Sequence, residues 1–110
     1  MEIADIKKEK YTIVEIAGRL DTTNYQELET NLQEKLDAGA RNLILDCANL
    51  EYVSSSGLRV FLMFLKKIKG LNGKFFVCSM QDEIKEIFKI SGFTSIFDIY
   101  ENRDQAEAAM

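Results

Sequence analysis

Histidine is absent from this chain of 110 residues, and cysteine occurs only twice. Histidine is the usual general base of enzymes and the commonest metal ligand, so its absence argues against many hydrolases and metal sites. The two cysteines, Cys47 and Cys78, each fall at the end of a strand-like run, and the first residues do not resemble a secretory leader. We therefore expect two buried thiols and no disulfide.

Basic stripes and long apolar runs are also missing. The net charge is −4, whereas nucleic-acid binding needs clustered cations that displace counterions from phosphates. The densest basic run, Lys66, Lys67 and Lys69, lies at the end of a helical pattern, where cations suit the helix dipole. The longest apolar run, residues 60–65, is too short to cross a bilayer. We expect a cytoplasmic protein that binds neither nucleic acid nor membranes.

The composition and the periodicity predict one domain spanning residues 1–110. Hydrophobic residues make up 46% of the chain and charged residues 29%, as in globular proteins. Strand patterns cover residues 2–7, 11–18, 42–47, 74–79 and 95–100, and helical patterns cover residues 22–39, 55–70, 80–92 and 102–110. Strands that alternate with helices after an opening hairpin predict an α/β fold with a mixed, mostly parallel sheet of about five strands flanked by about four helices.

Local signals refine this outline. The continuous apolar run at 42–47 predicts a central strand that is covered on both faces. Thr23 with Gln26 predicts a capping box at the start of the first helix, and Asn102 with Gln105 predicts a cap for the last. The predicted core face of the second helix consists of Leu58, Phe61, Leu62, Leu65 and Ile68.

Motifs for catalysis or for cofactors do not match this chain. The esterase elbow G-x-S-x-G fails because Ser54 stands where its first glycine is required. Residues 70–74 contain two glycines and a lysine, but their spacing is not that of a phosphate-binding loop. The aspartates show no ligand spacing for a divalent metal. We assign no catalytic residue, no metal and no cofactor.

Residues 49–53, NLEYV, are expected to connect the predicted central strand to the second helix, which begins near Ser55 within the stretch VSSSGLRVF at 53–61. Its serines are expected at the carboxyl edge of a parallel sheet, where ligands and partners of α/β proteins commonly bind. Ser54 can cap the helix, and one hydroxyl is enough for that task. Ser56 falls in the first turn beside Gly57, which has no side chain to shield it. Position alone leaves a capping role and a functional role equally open.

Three blocks of sequence carry a family resemblance: GRLD at 18–21, NLILDCANLEYVSSSGLRVFL at 42–62, and residues 73–102. Together they resemble the anti-sigma factor antagonist family, the STAS domains, over essentially the whole chain. The resemblance implies a mixed sheet flanked by helices and no catalytic activity. Family members are substrates of a serine kinase that is also an anti-sigma factor. The unphosphorylated form binds this kinase and releases the sigma factor, and a PP2C-type phosphatase resets the phosphorylated form.

The resemblance also assigns roles to residues. Ser56, immediately before the glycine, matches the serine that takes the phosphate, and Ser55 is the less favoured acceptor. Asp21 matches the family's aspartate near that serine. The family usually has Asp-Ser-Ser-Gly or Asp-Ser-Ala-Gly here, whereas this chain has Ser54 in place of the aspartate. Serine keeps the cap, but a negative charge that bears on kinase recognition is lost.

A partner surface is predicted around these serines. Val60 and Met63 are expected opposite the core face of the second helix, beside Arg59, so that they flank Ser56. The predicted partner-binding set is Asp21, Ser54, Ser55, Ser56, Gly57, Arg59, Val60 and Met63. The protein is expected to be a monomer or a weak dimer. Two alternatives remain: a STAS subunit of a transporter or sensor complex without a phosphoserine switch, and a small serine hydrolase.

Overall fold

The computed structural model describes all 110 residues and follows the predicted order of elements. The strands are β1 (Glu2–Lys7), β2 (Thr12–Leu20), β3 (Asn42–Val53), β4 (Lys74–Cys78) and β5 (Asp98–Tyr100). The helices are α1 (Tyr25–Asp37), α2 (Ser55–Gly70), α3 (Asp82–Ile90) and α4 (Arg103–Ala109), with a short 3₁₀ turn at Phe93–Ser95. The predicted α/β class is confirmed, with five strands and four helices.

The five strands form one mixed sheet in the order β1-β2-β3-β4-β5. β1 pairs with β2 antiparallel, and the other neighbouring pairs are parallel. β3 lies at the centre, as its continuous apolar run predicted. It contributes Leu43 and Leu45 to one face of the sheet and Ile44 to the other, and all three are fully buried.

Two hydrophobic clusters cover the two faces of the sheet. The larger one contains 22 buried residues, including Leu28, Leu32 and Leu36 of α1, and lies between the sheet and α1, α2 and α3. The smaller one contains five buried residues and lies under α4. Arg103 of α4 donates to Asp46 at 2.8 Å and also to Glu15. These ion pairs hold α4 on the second face of the sheet.

Several predicted boundaries and caps are corrected by the structure. β3 continues to Val53, so residues 49–53 belong to the strand and are not a connector. The Thr23–Gln26 capping box is absent, because the N-cap of α1 is Asn24 and its side chain makes no capping hydrogen bond. The predicted cap of α4 is confirmed, since Asn102 Oδ1 accepts from the Gln105 N–H at 2.9 Å.

The two thiols are unpaired and buried, as predicted. Burial raises the pKa of Cys78 to about 11, and it also raises the pKa of Cys47. No helix is both long and apolar enough to span a membrane.

Candidate functional site

The serine turn lies at the carboxyl ends of β2 and β3. Leu20 and Val53, the last residues of these strands, are register partners in the sheet. The Ser54 N–H donates to the carbonyl oxygen of Leu20 at 2.9 Å, so the chain leaves the sheet immediately before α2 begins. The N-terminus of α2 is therefore fixed to the carboxyl edge of the sheet, where the sequence predicted it.

The three serines occupy three different environments. Ser54 is the N-cap of α2 and is only 8% exposed, and its hydroxyl accepts from the Gly57 N–H at 3.2 Å. Ser55 is exposed and Ser56 is half-buried, and neither hydroxyl takes part in a hydrogen bond. Neither is therefore paired with a lysine or carboxylate that could act as a base. The capping role belongs to Ser54 alone.

Gly57 was predicted to leave Ser56 open to an approaching molecule, and this reasoning is wrong. Gly57 is buried, and a Cβ atom placed on it would lie 2.7 Å from Leu20 Cγ and 2.8 Å from Val53 Cγ2. Its missing side chain faces the core and not the solvent. Gly57 allows α2 to pack closely on the ends of β2 and β3, and it presents no surface to a partner.

Asp21 is held by a compact turn that follows β2. Its Oδ1 accepts from the Thr23 N–H at 2.9 Å and from the Thr23 hydroxyl at 2.6 Å. These hydrogen bonds, led by the one from the hydroxyl, lower the pKa of Asp21. The Asn24 side chain accepts from the Asp21 N–H and donates to the Arg19 carbonyl, which ties the turn to the strand. Asp21 is thus a charged, oriented carboxylate next to Leu20, the residue that binds Ser54.

The structure places two of the three predicted patch residues of α2 at the surface and the third in the core. Arg59 is exposed and Met63 is half-buried, so both can contact a partner. Val60 is only 1% exposed and packs in the core. The observed buried face of α2 is Gly57, Val60, Phe61, Phe64, Leu65 and Ile68. This face begins at Gly57, which gives no hydrophobic signal because it has no side chain. The predicted core face begins at Leu58 and is therefore displaced by one residue along the helix.

A stacked pair of side chains near the serine turn was not predicted. Arg19 and Tyr52 are register partners at the ends of β2 and β3, and the Arg19 guanidinium lies 4.2 Å from the centre of the Tyr52 ring. Tyr52 is 37% exposed. Tyrosine and arginine are enriched at protein interfaces, so this pair extends the candidate surface. The sequence does not indicate this pair because the apolar run that marks β3 ends at residue 47, before the strand itself ends at Val53.

The acidic and thiol side chains form no group that could hold a metal ion. The geometry thus identifies the chain as a small mixed-sheet α/β domain with a hydroxyl-bearing turn at its carboxyl edge.

Sequence comparison narrows this class to one family. Residues 2–106 match the family model described as STAS domain, and the chain belongs to that family. BtrV of Bordetella bronchiseptica, provisionally named an anti-sigma factor antagonist, is 37% identical over 94 residues, which are 86% of this chain and 81% of BtrV. The chain is thus a member of the anti-sigma factor antagonist family, as the sequence blocks predicted.

Solved structures share the fold at low sequence identity. A Thermotoga maritima protein, likewise provisionally named an anti-sigma factor antagonist, superimposes with a TM-score of 0.91 at 18% identity, over 97% of this chain and 92% of that one. The unphosphorylated anti-sigma factor antagonist SpoIIAA gives 0.83 at 14% identity, over 98% and 96%. Its phosphorylated form, from Bacillus, gives 0.78 at 14% identity, over 99% and 100%.

Proposed function

We propose that this protein is an anti-sigma factor antagonist controlled by phosphorylation of Ser56. In its unphosphorylated form it binds a serine kinase that is also an anti-sigma factor, and the sigma factor is released. A phosphate on Ser56 ends this binding, and a PP2C-type phosphatase restores it, in the cytoplasm. The observation that carries the proposal is the division of roles among the serines: Ser54 satisfies the cap, so the Ser56 hydroxyl has no structural task.

The fold is expected to tolerate the phosphate. Ser56 is the second residue of α2, where unsatisfied N–H groups and the helix dipole favour a negative charge by about 0.3–1 kcal/mol. The first turn of α2 contains no acidic residue. Arg59 is exposed three residues further on, on the same side of the helix, and can pair with a phosphate. SpoIIAA has this fold in a phosphorylated form, which is consistent with such tolerance.

The same phosphate would weaken the binding of a partner that covers Ser56. A phosphoserine adds about −1.5 to −2 charges and three acceptor oxygens. A partner must remove this dianion from water or meet it with its own charges, and the effective penalty of burying an ion is several kcal/mol. Because about 1.4 kcal/mol corresponds to a tenfold change in affinity, we expect at least a hundredfold loss of binding.

The experiment is phosphorylation by the kinase/anti-sigma factor of the same organism, with ATP, followed by mass spectrometry. We expect one phosphate on the wild type and on Ser55→Ala, and none on Ser56→Ala. Uptake that persists in Ser56→Ala and disappears in Ser55→Ala would assign the site to Ser55. Binding of the purified phosphoprotein to the kinase is then compared with that of the bare protein. Equal affinity of the two forms would refute the switch and favour a STAS subunit that uses these serines only as a cap.

A further inference from the structure

A second surface lies at the opposite end of the sheet from Ser56. It is an open cleft of about 500 Å³ between the β1–β2 hairpin and the C-terminal end of α1. Its charged lining residues are Asp5, Lys7, Lys8, Glu9, Lys10, Lys35 and Arg41. Five of these seven residues come from residues 5–10, and the fold brings Lys35 and Arg41 beside them.

The cleft concentrates positive charge in an acidic protein. Its five cationic and two anionic side chains give a local net charge of +3 within a chain whose total is −4, so the remainder of the molecule carries −7. Charge segregation of this kind creates a potential that attracts acidic molecules to one face and repels them from the others. The cleft is therefore a distinct electrostatic surface.

Two of the five cations in the cleft, Lys35 and Arg41, are held in place by contacts with neighbouring groups. Lys35 pairs with Asp5 at 2.8 Å. The Arg41 Nη1 donates to the carbonyl oxygens of Ala40 at 2.7 Å and Leu36 at 3.2 Å, which positions its guanidinium at the end of α1.

The hairpin side of the cleft is anchored as well. Asn42 Nδ2 donates to the Lys10 carbonyl oxygen at 3.2 Å and so ties the hairpin to β3. The amines of Lys7, Lys8 and Lys10 form no ion pair, and all three residues are exposed. The β1–β2 hairpin is thus held against β3 and carries three ammonium groups that form no ion pair.

We propose that this cleft is a docking site for a short acidic polypeptide segment of a protein partner. A small molecule is disfavoured because the cleft is open, whereas small-ligand sites enclose most of the surface of their ligand. A long nucleic acid is disfavoured because it would extend over the remainder of the surface, which carries −7. A short acidic segment would contact only the cationic cleft and not the acidic remainder of the surface, so electrostatic complementarity favours its binding.

The site goes beyond the proposed switch and is independent of it. β3 spans the 12 residues from Asn42 at the cleft to Val53 beside the serine turn. The two sites therefore lie at opposite ends of the sheet in a molecule whose longest dimension is 31 Å. A partner in the cleft and a kinase at Ser56 can therefore bind the same molecule without meeting.

The test is titration of the full chain with a short glutamate-rich peptide, followed by amide chemical shifts at low and at moderate salt. We expect shifts confined to residues 7–12 and 35–42, with an affinity that falls as salt is added. Changing Lys7, Lys8 and Lys10 together to glutamine should weaken binding about tenfold. The matched control changes Lys66, Lys67 and Lys69 to glutamine, which alters the net charge equally outside the cleft and should weaken binding less than about twofold.

Four outcomes would overturn the proposal. The first is no binding, and the second is an equal loss in both triple variants, which would mean that the peptide senses only the net charge. The third is a shift map centred on the serine turn. The fourth is tighter binding of inorganic triphosphate or of single-stranded DNA at the same residues, which would identify a different class of ligand. None of these results depends on the kinase, so failure here leaves the Ser56 proposal unaffected.

Discussion

Gly57 offers the most direct test of how α2 is attached to the sheet. An alanine Cβ at this position would lie 2.7 Å from Leu20 Cγ and 2.8 Å from Val53 Cγ2. Both neighbours are core residues, 0% and 3% exposed, and the contacted atom of Leu20 is a branch point. Neither side chain can swing into solvent to relieve the contact. Gly57→Ala must therefore shift α2 or distort the ends of β2 and β3.

The size of the effect follows from two opposing terms. Overpacking by one methyl group in a well-packed core costs about 1–3 kcal/mol. Replacing glycine by alanine in a helix gains up to about 1 kcal/mol. We therefore expect the free energy of unfolding to fall by about 1–2 kcal/mol. With a urea dependence of about 2 kcal/mol/M, the unfolding midpoint should fall by about 0.5–1 M.

Urea unfolding followed by circular dichroism measures this shift, and α2 supplies its own control. Gly70 is the last residue of the same helix, and a Cβ atom added to it would have no neighbour within 4 Å. Gly70→Ala should therefore leave the free energy of unfolding unchanged or raise it. In the Gly57→Ala background, Val53→Ala removes one of the crowding atoms and should cost less than it does in the wild type. Equal midpoints for the two glycine variants, or strictly additive effects of Gly57→Ala and Val53→Ala, would refute the close contact.

Two further predictions concern the serine turn and the surface beside it. Ser54→Ala should lower the free energy of unfolding by about 1 kcal/mol because it removes the cap. Ser55→Ala should change this free energy by less than about 0.5 kcal/mol. Comparable losses for the two variants in urea unfolding would contradict the division of roles. Met63→Asp should weaken binding to the kinase about tenfold or more. The control is Leu71→Asp, at an exposed position at the far end of α2, which should leave the affinity unchanged. A loss of binding in Leu71→Asp alone would move the partner surface to that end of the helix.

The order of elements was predictable because each signal for it is local. The helical pattern at 22–39 and the apolar run at 42–47 depend on neighbouring residues, and the structure confirms a helix and a buried strand there. The capping role of Ser54 was predictable for the same reason. Gly39, shortly after the end of α1, has a φ of +102°, a conformation that other residues avoid.

The errors arose where tertiary contacts override a local pattern. The Thr23 N–H and hydroxyl both donate to Asp21 Oδ1, so Thr23 belongs to the turn before α1, and the N-cap is Asn24. Val60 is buried because the core face of α2 starts from a glycine, and hydrophobicity alone cannot identify such a start. The cationic cleft combines residues from β1, the hairpin and the end of α1, and their proximity is a property of the folded chain.

The proposed switch gives two of the three serines, Ser54 and Ser56, separate tasks within one turn. A single hydroxyl that both capped α2 and accepted a phosphate would have to be accessible to a kinase while it was hydrogen-bonded within the first turn. Here Ser54 is only 8% exposed and its hydroxyl accepts from the Gly57 N–H, while the hydroxyl of Ser56, two residues later, forms no hydrogen bond. A phosphate on Ser56 would therefore change the electrostatics of the surface and leave the attachment of α2 intact. Under this division, the occupancy of Ser56 can regulate a partner without changing the stability of the domain by more than about 1 kcal/mol.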